Sequence, residues 1–217
     1  MMTKTLTLAT VSALALASSA TIAGAVTATA AADINLRSGP GGQYQIDGVI
    51  LTGDEVEVAG CNAEQSWCQV TSSSGEGWAY APYLTFDQGG EMKPLSEASA
   101  QQITIIEDNS QDEATALGAG MGAVAGALLA GPVGAVAGSM MTGIAAHNSV
   151  SDETTVYIQE NPVDPVFLTG EPVVGAAVPG EVTLYDVPEN QEIAYLNVNG
   201  NDVVVERETR RIVYVIR

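Results

Sequence analysis

Reactive chemistry has few places to reside in this chain. His147 is the single histidine, so a histidine-activated nucleophile and a histidine-ligated metal centre both lack a part. Asp54, Glu55 and Glu57 lie close enough to suggest paired carboxylates, but an alternating strand edge accounts for them as a solvated face. The run Asp108-Asn109-Ser110-Gln111-Asp112-Glu113 carries oxygens at alternate positions, as a calcium loop does. Its sixth position is Glu113 in place of glycine and its twelfth, Ala119, has no carboxylate. The run reads better as a helix start capped by Ser110 or Asp112. Gly118-Ala119-Gly120-Met121-Gly122-Ala123 matches a dinucleotide fingerprint by letters, yet no buried strand leads into it and no acidic residue follows about twenty positions later. No catalytic residue, metal ligand or cofactor is expected, and the chain reads as non-enzymatic.

The remaining reactive groups are Cys61 and Cys68, and the compartment decides their state. Lys4 precedes an apolar run over residues 6–17, and small residues continue to Ala28-Thr29-Ala30. This pattern suits an export signal cut after Ala30 or one or two residues later, so residues 1–31 are expected to be removed and the protein to reside in the periplasm or cell envelope. In that oxidising space an even cysteine pair reads as a disulfide. The formal charge of -19, from 26 acidic and 7 basic residues, excludes nucleic acid as a partner, because phosphate backbones require a basic face. Four of the basic residues, Arg207, Arg210, Arg211 and Arg217, crowd the C-terminus; they could grip a carboxylate or phosphate, but at least two are expected to pair with Glu206, Glu208 and other acids nearby.

The elements that would position a site divide around residues 114–146, which carry no charge. Gly118, Gly122 and Gly126 recur every fourth residue, Gly131-Pro132 interrupts, and Gly134 and Gly138 resume. A glycine costs a helix roughly 1 kcal/mol relative to alanine, so such a ridge is reasonable only where another helix approaches closely. Residues 113–147 are expected to form a short helical hairpin. It resembles the glycine-zipper segments of other bacterial envelope proteins. Helices over 115–130 and 133–146 would be about 24 and 21 Å long, short of a hydrocarbon core of about 30 Å. Membrane association, self-assembly in water and burial against the chain's own domains all remain open for it.

Ahead of this tract, alternating runs with turn residues between them predict an all-β unit over residues 32–86. Five short strands suggest a small barrel. Asn35-Leu36-Arg37-Ser38-Gly39-Pro40-Gly41, then Tyr44, Gly48 and Gly53, then Trp67-Cys68-Gln69-Val70, Gly77-Trp78 and Tyr83-Leu84 give the unit its character. This ordered series resembles the bacterial SH3-like (SH3b) domain. The resemblance implies binding of cell-wall peptide or glycan, or of a partner peptide, through an aromatic-lined groove. Tyr44, Trp67, Trp78, Tyr80 and Tyr83 are the residues that could line it. Trp67 and Trp78 read more readily as core or barrel-closing residues. The cysteine pair departs from the simplest family pattern and flanks a loop between neighbouring strands. Arg37 is expected to pair with Asp33 or Asp54, or with a ligand carboxylate.

Residues 87–112, rich in Gln, Gly, Ser and acids, read as a flexible acidic linker, with only residues 103–106 able to form a brief strand. Residues 152–217 read as a second β unit. Strands are expected over 155–158, 163–168 and 182–185, followed by a meander whose first turn is Asn199-Gly200. The run from Leu196-Asn197-Val198-Asn199-Gly200 to Arg210-Arg211-Ile212-Val213-Tyr214-Val215-Ile216 is similar to a bacterial domain-of-unknown-function family (number 1236), which brings no activity with it. The fold expected is mainly β, an SH3-like small barrel plus a C-terminal antiparallel meander, with the central helical hairpin between them. The function expected is that of an exported, non-catalytic envelope protein whose barrel binds peptidoglycan or a peptide. The competing expectation is a structural protein, associated with membranes or with copies of itself through the glycine tract, whose barrel has no ligand.

Overall fold

The computed structural model describes residues 26–98, 103–106, 129 and 150–217. The segment before residue 26, most of residues 99–149 and the helix-packing glycines Gly118, Gly122, Gly126, Gly134 and Gly138 lie outside the described residues.

Period-two alternation builds the first unit. In β4 (Glu55–Cys61) the acids Glu55 and Glu57 are exposed while Val56 and Val58 are buried, so one face of the strand meets the core and the other meets water. The other strands are β1 (Val26–Ala30), β2 (Ile34–Arg37), β3 (Ile46–Ile50), β5 (Trp67–Ser72), β6 (Gly75–Tyr80), β7 (Leu84–Asp87) and β8 (Met92–Pro94). They form one eight-stranded sheet in the order β3-β2-β6-β5-β4-β1-β7-β8. Cys61 and Cys68 face each other across β4 and β5 and are joined as the disulfide the sequence predicts. Closing so short a loop contributes about 2–3 kcal/mol, a large share for a small sheet.

The unit is longer than the sequence suggests at both ends. Val26–Ala30, expected to depart with the export signal, is an interior strand paired with β4 on one side and β7 on the other. The start of the expected linker belongs to the fold: β8 pairs β7, and a 3-10 turn at Leu95–Glu97 buries Leu95 completely. Residues 103–106 dock as a single parallel bridge, with the Cys61 N–H donating to the Thr104 carbonyl at 2.9 Å and the Ile106 N–H to the Cys61 carbonyl at 2.8 Å. Gly60 makes this approach possible, since a β carbon there would stand 2.6 Å from the Thr104 oxygen.

The second unit opens with α1 (Asp152–Glu160), where the sequence predicts a strand over 155–158. Two local devices override the β-branched run. The Ser151 hydroxyl accepts the Thr154 N–H, and Asp152 and Glu153 stand at the positive end of the helix. Hydrogen bonds to the helix backbone and Ser151 hold the Glu153 carboxyl below its ordinary range. Thr154 and Ile158, four residues apart, give the helix its buried face.

The chain continues through β9 (Pro165–Val166) and β10 (Tyr185–Asp186), short remnants of two longer expected strands. The meander β11 (Ile193–Val198), β12 (Asn201–Glu206) and β13 (Arg211–Ile216) follows as predicted. Asn199 at φ 52° and Gly200 at φ 84° make the tight turn, the positive angles that Asn-Gly tolerates best. The meander is apolar on both faces. Ile193, Tyr195 and Val204 pack with Ile158 of α1. Leu196, Val198, Val203, Val205, Ile212 and Val215 join Ile34, Leu36, Ile50 and Val70 of the first unit in one continuous core. The two units are therefore halves of a single hydrophobic body.

The terminal arginines find partners other than Glu206 and Glu208. Arg207 pairs with Asp186 at 2.7 Å, and Arg217 donates to the Asp33 carbonyl at 2.7 Å. Arg210 donates to the Val178, Pro179 and Val182 carbonyls, and Arg211 to that of Gly175. Their role is to tie irregular backbone to the meander, where carbonyls would otherwise go unpaired.

Candidate functional site

Arg37 ends β2 completely buried, and its partner is neither Asp33 nor Asp54 but Glu171, 134 residues further along the chain. All five guanidinium hydrogens are used. Nε donates to Glu171 Oε2 at 3.0 Å and Nη2 to Glu171 Oε1 at 2.8 Å, a two-pronged pair. The second Nη2 hydrogen goes to the Asn199 carbonyl at 3.0 Å, while Nη1 serves the Gly42 and Tyr44 carbonyls at 3.0 and 2.9 Å. The Asn35 amide also donates to Glu171. Burial pushes the Glu171 carboxyl above its ordinary range, and the Arg37 guanidinium and Asn35 amide oppose that shift. One side chain thus binds the loop after β2, the turn of the second unit's hairpin and the Glu171 loop at a single point.

Asn199 completes this junction. Its amide nitrogen donates to the Leu168 and Gly170 carbonyls at 3.0 and 2.8 Å, and its oxygen accepts the Leu168 N–H at 2.8 Å. Gly42 lies directly against this amide, and any β carbon at 42 would collide with it.

The five aromatic candidates separate into different environments. Trp67 and Tyr80 face each other across β5 and β6 with ring centroids 5.3 Å apart, and Tyr80 lies 5.6 Å from Tyr83. This row is not an open groove. Trp67 and Tyr83 are buried, and Gly170 lies over Tyr80, a β carbon there being 3.7 Å from the phenol oxygen. Burial, with the Glu171 charge close by, raises the phenols of Tyr80 and Tyr83. The second unit's loop around Gly170 and Glu171 therefore covers the aromatic face of the first. Trp78 is half-buried on β6, opposite Gln69 of β5 and Arg37 of β2.

Tyr44 lies away from this row, its ring against Gly39 at a position where no β carbon would fit. It lines a cleft of about 370 Å³ between the β2–β3 loop and the β11–β12 turn. Gln43, Gln45 and Ile46 form one wall with Tyr44, and Phe167, Pro165, Asn197 and Gly200 form the other. None of the described residues that line it is charged. Tyr44 and Phe167 are half-buried, and the Gln43 and Gln45 side-chain amides form no hydrogen bond with the described residues. An arrangement of rings with unengaged amides can stack on an apolar face and exchange hydrogen bonds with hydroxyl or amide groups.

Sequence reasoning finds Tyr44 but misses Phe167, Gln43, Gln45 and Glu171. The Asn199-Gly200 turn is the one readable mark of the opposite wall, and it points to a hairpin without saying what the hairpin meets. Among the described residues no cluster of His, Cys, Asp and Glu could hold a metal, and no helix is long and apolar enough to cross a membrane.

Comparison with known families places a bacterial SH3 domain over residues 31–85 and a domain of unknown function (DUF1236) over residues 157–217. No curated protein and no solved structure matches the chain.

Proposed function

We propose that this chain, a bacterial SH3 domain joined to a DUF1236 region, is an exported, non-catalytic envelope protein that binds an uncharged stretch of cell-wall glycan in the cleft between the two. The SH3 match supports a binding module. The observation that carries the finer reading is the cleft itself, where Tyr44 and Phe167 lie beside the Gln43 and Gln45 amides and none of the described lining residues is charged. Sugar rings present an apolar face ringed by hydroxyls, which suits such a surface. A neutral ligand also avoids repulsion from a protein of net charge -19. The uncharged tract of residues 114–146 is assigned to bringing this module to a membrane or to other copies of the chain, because its regular glycines allow close helix contact.

Co-sedimentation of the mature protein with purified peptidoglycan tests the reading. Tyr44→Ala and Phe167→Ala are each expected to weaken binding about tenfold, the loss of roughly 1.4 kcal/mol typical of an aromatic contact, while the thermal midpoint holds. A chain lacking residues 131–146, which keeps the buried Leu129 and its hydrogen bond to the Thr169 carbonyl, should bind the wall as before and lose its membrane-bound fraction. Unchanged sedimentation of both aromatic variants would remove the cleft as the site.

A further inference from the structure

We infer that export cleaves this chain between Ala25 and Val26, so that the mature protein begins with β1. The inference rests on the export reading and goes beyond it by naming the bond. Beyond the apolar run over residues 6–17, three stretches carry alanine at the positions just before and two residues further before a possible cut, Ala23-Gly24-Ala25, Ala28-Thr29-Ala30 and Ala30-Ala31-Ala32. Composition does not separate them, but the sheet does.

A cut after Ala30 or Ala32 would remove Val26–Ala30, and that strand is interior. Val26, Thr27, Ala28 and Thr29 pair with Val58, Glu57, Val56 and Glu55 of β4, while Thr29 and Ala30 pair with Thr85 and Leu84 of β7. The Ala30 N–H donates to the Asp54 carbonyl at 2.9 Å and the Ala30 carbonyl accepts from Gly53 at 2.8 Å. The Thr85 hydroxyl donates to the Thr29 carbonyl at 3.1 Å, and the Ala31 N–H to the Tyr83 carbonyl at 2.8 Å. Ala28 and Ala30 are 1% and 2% exposed. Without β1, the β7–β8 pair loses the strand that connects it to the rest of the sheet among the described residues, and β4 and β7 present unpaired backbone toward a core that has lost its filling.

A cut after Ala25 leaves every one of these bonds in place. It puts the new amine on Val26, a half-buried residue at the strand's beginning, where a charge can reach water. The small side chains of Ala28 and Ala30 are then explained by packing, not by a peptidase. The step is hydrolysis of the Ala25–Val26 amide by an export-processing peptidase: water gives its hydroxyl to the Ala25 acyl carbon and a proton to the Val26 nitrogen.

The test is N-terminal sequencing with intact mass on full-length protein expressed with its native leader and recovered from the cell envelope. The expected N-terminus is Val26. A start at residue 31, 32 or 33 overturns the inference while leaving export intact, and a chain that keeps residues 1–25 overturns both. Ala25→Leu, which changes no described residue, is expected to abolish that cut and accumulate the uncleaved chain. Normal processing of this variant at an unchanged site overturns the inference as well.

Discussion

Replacing Arg37 by alanine is expected to destabilise the protein by about 3–5 kcal/mol, with Glu171→Ala close behind, because either change leaves a charge buried without its partner. Both side chains are at most 1% exposed, so water cannot rescue the survivor. Arg37→Ala also orphans the Gly42, Tyr44 and Asn199 carbonyls that the guanidinium now serves. Removing the pair together, as Arg37→Met with Glu171→Leu, should cost clearly less than the sum of the two single changes, since no lone charge remains. Urea unfolding read through tryptophan emission is a suitable measurement. Single variants within about 1 kcal/mol of the parent would show that this buried pair is not what joins the halves.

The second large effect is expected at Asn199. Its side chain holds the Leu168 N–H and the Leu168 and Gly170 carbonyls while its backbone sits at φ 52°. Asn199→Ala removes three buried hydrogen bonds and puts a β carbon without side-chain compensation into a left-handed turn, for an expected loss of about 3–4 kcal/mol. Asn199→Gly relieves the turn and keeps the bonding loss, so it should fall between alanine and the parent. The same urea experiment ranks the three. If alanine and glycine variants both unfold with the parent, the Leu168 to Gly170 loop is held by something other than this amide. The loop matters beyond stability, because it is the piece laid over Tyr80.

Much of the architecture is readable in the chain because it is local. Val56 and Val58 against Glu55 and Glu57 declare a half-buried strand, Asn199-Gly200 declares a hairpin, and Cys61 and Cys68 end up as the cross-strand disulfide. Expectation and structure part where one stretch carries two local patterns. Val26–Ala30 consists of small residues that suit the tail of an export signal as well as a tightly packed strand. The β-branched residues of 155–158 suggest a strand, while the capping serine at 151 and the acids behind it mark the helix that forms.

The candidate site is less legible for a different reason. Picking out aromatic residues gathers Tyr44 with Trp67, Trp78, Tyr80 and Tyr83, but whether a ring faces solvent depends on what lies over it, and Gly170 and Glu171 come from the far end of the chain. No spacing rule connects Arg37 to a glutamate 134 residues away. Phe167 likewise sits in an ordinary apolar run, and only the docking of the hairpin turn against Gly42 brings it opposite Tyr44.

The SH3 domain and the DUF1236 region share one core, with the Arg37–Glu171 pair inside it, and should therefore behave as one body. Differential scanning calorimetry of the mature protein tests this most directly. One transition is predicted, with a calorimetric enthalpy equal to the van't Hoff enthalpy. Two resolved transitions, one of them moved by Arg37→Ala and the other unaffected, would show two independent domains and contradict the account.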